Sequence, residues 1–271
     1  MNDSLVPDEE ELLANGWEPD LAPTDTLVRQ TAVVHASWGT ALAEAIGRPW
    51  RWTDDWAGGF IADRGALSNM IMLLRPPTDP GAVIAEIAEL IPATSPYLMV
   101  SPWLAPDLTP YGLVKIGHPP LMVRFPKPHD EPSRDGVELR EVTNAEELAI
   151  AERVLVEGYP MPDLEPLSTG DLWNPSLLSP TMRMWIAYID GEPAAVSSAH
   201  LHEGVTLVEY VATLPVARGR GAGAAVTWAA TLADPARPAV LLASDDGRPV
   251  YERMGYLAIE RWTAWLRPAA G

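Results

Sequence analysis

The twenty residues VATLPVARGRGAGAAVTWAA, Val211 to Ala230, restrict the possible folds more than any other stretch of the chain. A β-rich segment breaks at Pro215, passes Gly219, Gly221 and Gly223, and continues as an alanine-rich run. Glycines this close together permit turns that residues with a Cβ resist, and alanine carries the lowest helix cost. The pattern predicts a strand, a tight turn and a helix over about Ala222–Ala233. The first amides of such a helix have no partner inside it and lie at the positive end of its dipole. They form an anion site suited to a phosphate.

Composition narrows the ligand. The chain has 271 residues, 47% of them hydrophobic, enough for two cored domains. A net charge of −18 argues against nucleic acid and anionic membrane partners, and is compatible with a cationic substrate such as an amine. Cysteine is absent, which excludes disulfides, thiolate–zinc sites and a cysteine nucleophile. The acidic start MNDSLVPDEEELLANG lacks the apolar core of a secretory signal, and no apolar run is long enough to span a bilayer. A soluble, cytoplasmic protein is expected.

The proline- and charge-rich stretch around FPKPHDEPSRDG reads as a linker over residues 126–136, between an α/β domain at 1–125 and a second at 137–271. After the linker, strand and helix signals alternate: VELREV, a helix capped by Asn144, three strands with a turn at Asp190-Gly191, the glycine turn and its helix, AVLLAS, RPVYERMG and a final strand AIERWTAWLR. Before it, Asp25–Ile46 and DPGAVIAEIAELI read as helices, and GGFIAD, NMIMLL, YLMVSPW and PLMVRF as strands, with a short helix in LTPYGLVKIG. The end of the first half loosely echoes the end of the second, so the first domain is either a degenerate copy or a chance likeness.

Three phosphate-loop classes compete for RGRGAGA. A Walker loop needs Lys-Ser or Lys-Thr after the last glycine, where Ala224 and Ala225 stand. Gly219, Gly221 and Ala224 spell a Rossmann fingerprint, but only 47 of the 271 residues follow Ala224, too few for the rest of that sheet. The third pattern, Arg218-x-x-Gly221-x-Gly223, is followed about thirty residues later by YERMGY. This combination resembles the GNAT superfamily of acyl-CoA N-acyltransferases over about Val137–Arg267. The resemblance implies an α/β GNAT fold, a mixed and mostly antiparallel sheet flanked by helices. It also implies acetyl-CoA as co-substrate and no metal. Backbone groups at Val211, Ala212 and Thr213 would meet the pantetheine arm, and the segment Arg218, Gly219, Arg220, Gly221, Ala222, Gly223 and Ala224 would cradle the pyrophosphate. Ser244 stands where relatives carry a polar cofactor ligand. Tyr251 matches the general-acid tyrosine.

Strand alternation puts Val205, Leu207, Glu209, Val211 and Thr213 on one face, with Glu209 the lone charge there. A carboxylate on an apolar face suits a general base, which an amine acceptor requires at neutral pH. The family's alternative glutamate, at the start of the next strand, is replaced by Ala239 or Val240. His200 and His202 share a strand face with Ser198, and His200 is the competing base. Trp173, Trp185 and Trp228 read as core or pocket wall. The expected activity is acetyl transfer to a primary amine of a small molecule, with an acyl-CoA sensor or interaction module as the alternative. The acceptor pocket is expected around Tyr159–Pro180. A homodimer is left open.

Overall fold

The computed structural model describes residues 26–103, 106–127, 135–159 and 161–270. Two mixed sheets flanked by helices make up the molecule. The first contains β1 (Trp50–Trp52), β2 (Trp56–Gly59), β3 (Met70–Leu73), β4 (Tyr97–Ser101) and β5 (Val114–Gly117), with helices α1 (Leu27–Ala45) and α2 (Pro80–Leu90). The second contains β6 (Pro120–Arg124), β7 (Val137–Glu141), β8 (Met182–Ile189), β9 (Glu192–His202), β10 (Val205–Thr213), β11 (Ala239–Leu242) and β12 (Leu257–Arg261). Helices α3 (Ala145–Gly158), α4 (Ala222–Thr231) and α5 (Arg248–Arg253) belong to it, and β13 (Thr263–Arg267) closes the chain.

Helix starts follow their sequence signals. Thr26, Asp79 and Asn144 each accept a hydrogen bond from a backbone amide three residues on, at Arg29, Ala82 and Glu147. Asp190 and Gly191 both have positive φ, 55° and 84°, as a two-residue hairpin turn demands.

The sheets exchange strands. Their orders are β1-β2-β3-β4-β13-β5 and β7-β8-β9-β10-β11-β6-β12. The segment AIERWTAWLR is therefore two strands rather than the single strand its pattern predicts. It leaves the second sheet at Trp262, and β13 then pairs with β4 over five residues, Thr263–Arg267 against Ser101–Tyr97. In return β6 lies between β11 and β12. The two crossings touch: the Trp262 amide donates to the Pro119 carbonyl at 3.0 Å, and Trp262 is wholly buried. The expected linker at 126–136, of which 128–134 lie outside the described residues, thus does not divide the sheets, because each half supplies one strand to the other. The segment LVKIG, read with LTPYG as a short helix, is instead strand β5, because β13 offers it a partner, and only Thr109–Tyr111 forms a helical turn.

Pairing senses repeat between the lobes. β1–β2 and β2–β3 are antiparallel, β3–β4 is parallel, and β13 runs antiparallel between β4 and β5. The same series occurs in β8–β9, β9–β10, β10–β11, and β6 between β11 and β12. The first lobe repeats the topology of the second without its edge strand β7. Helix α1 packs on β2 and β3 and also reaches β9 and β10, so it bridges the lobes. Trp173, Trp185 and Trp228 are buried, as their reading as core or wall requires.

Candidate active site

Strand β10 pairs with β11 at two positions alone, Thr206 with Ala239 and Leu207 with Val240. Beyond Leu207 the parallel strands part, and a cleft of about 900 Å³ opens between them. Its wall runs from Arg218, Gly219, Gly221, Gly223 and Ala224 past Val211 and Thr213 to Glu209, Ser244 and Tyr251.

The glycine turn is built as its sequence demands. Gly219 and Gly221 have φ of +76° and +90°, a region other residues rarely enter. Gly223 has an ordinary φ, but a Cβ there would sit 2.6 Å from Thr213 Oγ1, so the close approach of α4 to β10 requires glycine. Gly221 is the N-cap of α4 and has no side chain with which to cap the helix. The amides at Ala222, Gly223 and Ala224 therefore face the turn with no described protein acceptor. Such a cradle fits a diphosphate. The matching turn in the first lobe does not: Asp79 caps the Ala82 amide of α2 and Pro80 removes a donor, so negative charge and a missing N–H occupy that place.

Among the sequence candidates, Val211, Thr213, Arg218, Gly219, Gly221, Gly223, Ala224 and Ser244 line the cleft. Ala212 and Ala222 are buried beside it, leaving only backbone to offer a ligand. Arg220 turns outward to Asp190 at 2.8 Å and is half-exposed, a pair of small energetic weight. The Arg218 guanidinium reaches the carbonyls of Thr213 and Gly158 at 3.4 and 3.3 Å, tying the turn to the end of α3. Ser244 Oγ accepts the Gly247 amide at 3.0 Å, so it also caps the turn into α5.

Strict alternation along β10 fails at Tyr210. The register against β9 shifts between Glu209 and Ala212, and Tyr210 adopts φ +53°. This bulge re-aims the side chains around Glu209. The strained tyrosine is held by its ring contacts with Trp38 at 5.3 Å and Trp173 at 5.7 Å. Trp173 sits in a loop fastened by Glu152, whose buried carboxylate accepts the amides of Gly170, Leu172 and Trp173 at 2.8, 2.7 and 3.2 Å. Burial raises the Glu152 pKa, against the pull of those three amides. Nothing in the sequence distinguishes Glu152 from an exposed helix glutamate.

Glu209 sits where the cleft meets a second cavity of about 320 Å³; Tyr159, Tyr210, Leu242 and Ser244 border both. Its side chain is 16% exposed. His35 Nε2, from α1, lies 3.0 Å from Glu209 Oε1, a close contact off the ring N–H axis. His35 Nδ1 is 2.8 Å from the Thr31 carbonyl, an acceptor, so Nδ1 carries the hydrogen. Sequence reasoning passed over His35 because its contact spans 174 residues. Burial, with the Glu209 charge second, raises the pKa of Tyr159, Tyr210 and Tyr251. All three phenols therefore hold their protons at neutral pH and can donate.

His200 is placed elsewhere. It is buried, lines neither cavity, and its Nε2 meets Ser37 Oγ at 2.9 Å. Burial first, then the stacked His202, lowers its pKa to about 4. His200, the competing base of the sequence reading, thus borders neither space open to a ligand. Among the described residues no group of His, Asp and Glu converges as a metal site, and no helix is long and apolar enough to cross a membrane.

Comparison with known proteins agrees with the fold. Residues 148–256 match the model of the acetyltransferase (GNAT) family. A GCN5-related N-acetyltransferase from Kribbella flavida superposes with a TM-score of 0.58 at 24% identity, covering 87% of this chain and 96% of its own. A GNAT-family protein from Novosphingobium aromaticivorans gives 0.56 at 19%, covering 85% and 97%. A conserved protein of unknown function from Staphylococcus epidermidis gives 0.53 at 14%, covering 83% and 96%. These likenesses extend the shared fold to both lobes. No curated protein matches the chain.

Proposed function

We propose that the protein transfers acetyl from acetyl-CoA to a primary amine of a small molecule by direct attack. The observation that carries this reading is the single path from the glycine turn, along the parting of β10 and β11, to Glu209 at the mouth of a second cavity. Acetyl-CoA would lie with its diphosphate on the amides of α4 and its arm along Val211–Thr213. Glu209 takes the proton from the incoming ammonium. The amine lone pair then attacks the thioester carbonyl, the C–S bond breaks, the thiol leaves with a proton from Tyr251, and the surplus proton on the new amide nitrogen passes through water to restore the tyrosine.

Calorimetry with CoA tests the cofactor half. Gly221→Val puts a β-branched residue at φ +90° beside the diphosphate cradle. CoA affinity is expected to fall at least about tenfold, or ~1.4 kcal/mol, in protein whose circular dichroism remains native. Unchanged affinity would remove the phosphate-site reading. CoA binding without thiol release for any amine would leave an acyl-CoA-binding module.

The chemical half is tested at Tyr251. A thiol of pKa about 8.5 leaves without much help, so loss of the acid costs less than loss of the base. Tyr251→Phe is expected to lower kcat by roughly 10- to 100-fold, with CoA affinity and Tm nearly unchanged because the ring still packs on Tyr256 at 5.9 Å. Equal kcat with chemistry rate-limiting would make the tyrosine structural. A fall in CoA affinity alone would make it a cofactor ligand.

A further inference from the structure

About half of the second cavity is built by the first lobe. Met70 of β3, Leu98 and Val100 of β4, Ala264 of β13 and Ile116 of β5 line it, all from neighbouring strands of the first sheet. Leu98 and Val100 are two apart, Met70 pairs with Leu98, and Ala264 pairs with Val100. These side chains therefore share one sheet face. Opposite them stand Tyr159, Met161, Leu242 and the Glu209 carboxylate from the second lobe. Of the stretch Tyr159–Pro180, in which the acceptor pocket is expected, Tyr159 and Met161 line this cavity, while most of the facing wall belongs to residues before the linker.

No lysine or arginine is among the described residues of this wall, its carboxylates are Glu209 and Asp245, and its histidine, His118, meets Thr263 Oγ1 at 3.3 Å. Asp245 is paired to Arg261 at 2.7 Å, and hydrogen bonding to that guanidinium holds its pKa below the usual range. Glu209, with His35 Nε2 3.0 Å from its Oε1, faces a largely apolar chamber. A substrate carboxylate or phosphate there would meet the Glu209 carboxylate and no lysine or arginine, at a desolvation cost no apolar contact repays. An ammonium would find its counter-charge in Glu209. At about 320 Å³ the chamber is at the small end of ligand pockets, which run from about 300 to 1,000 Å³.

We infer that the chamber between the lobes is the acceptor subsite, and that it takes a primary amine on a compact apolar body carrying no anionic group. This rests on the acetyl-transfer reading for its chemistry, but binding in the chamber does not. The first lobe, which has no diphosphate cradle of its own, would serve as the specificity wall for the second.

2-Phenylethylamine and phenylalanine separate the two demands, since they share one body and differ by a carboxylate. Thiol release from acetyl-CoA is expected to show kcat/KM at least tenfold higher for 2-phenylethylamine. Calorimetry on the CoA-loaded protein should show the same order of affinity. Ile116 is 53% exposed at the rim, so Ile116→Arg is tolerated by the fold and sets a cation at the entrance. It should raise KM for the amine at least tenfold and leave CoA affinity unchanged, whereas Ile116→Gln should move KM far less. Equal or better use of phenylalanine, or preference for a lysine-containing peptide, would overturn the substrate class. If no amine is acetylated, yet 2-phenylethylamine binds and Ile116→Arg abolishes that binding, the transfer reading fails and the subsite stands. Amine binding that is absent or indifferent to Ile116→Arg overturns the subsite itself.

Discussion

Replacing Glu209 with glutamine is expected to lower kcat/KM for the amine by ~10²-fold or more while CoA affinity stays within about twofold, since no step of diphosphate binding uses the carboxylate. The amide keeps the volume and much of the hydrogen bonding, so the loss reports the missing base. Glu209 is chosen over every other titratable neighbour by position: it borders both cavities, and the three phenols beside it hold their protons. The acid limb of the pH–rate profile should flatten in the variant. His200→Gln should leave the rate near wild type, because His200 lines neither cavity and is bonded to Ser37. A large loss from His200→Gln with little from Glu209→Gln would reverse the assignment.

Glu152→Ala is expected to destabilise the protein by about 3 kcal/mol, read from urea unfolding. Three backbone amides lose one acceptor; those of Leu172 and Trp173 are buried, and each buried orphan donor costs about 1–3 kcal/mol. Relief of the buried charge offsets part of that sum, because burial is what raises the carboxyl's pKa. Glu152→Gln retains one acceptor oxygen without the charge and should lose less than half as much. The loop it fastens carries Trp173 onto Tyr210, beside Glu209, so Glu152→Ala should also weaken turnover in protein that remains folded. A loss below about 0.5 kcal/mol, within the range of ordinary surface substitutions, would mean that the loop re-solvates freely and that Glu152 is no anchor.

The parts of the site that were legible in the sequence are those fixed by local backbone chemistry. Gly219 and Gly221 announce positive φ, Gly223 a close approach, and the alanines a helix, and all lie within the one turn that forms the cradle. Asn144 and Asp79 announce helix starts for the same local reason. The unread parts depend on partners far along the chain. AIERWTAWLR is one unbroken β pattern with no turn residue at Trp262, and only β4 and β5 decide that its second half leaves the sheet. Tyr210 is a β-forming residue that shows nothing of its left-handed φ until Trp38 and Trp173 close on it. Met70, Leu98 and Val100 read from their pattern only as strand residues, and they become cavity wall because the exchanged strands set the lobes face to face.

A quenched single turnover, with acetyl-CoA labelled in its acetyl group and amine in excess, followed by mass spectrometry of both protein and small molecules, tests direct transfer in this cleft most directly. The expected result is label on the amine at the rate of thiol release, with none on the protein at any time, and with label appearing at least ~10²-fold more slowly in Glu209→Gln. Label that passes first through a covalent protein adduct, or equal rates in wild type and Glu209→Gln, would contradict attack by an amine deprotonated at Glu209.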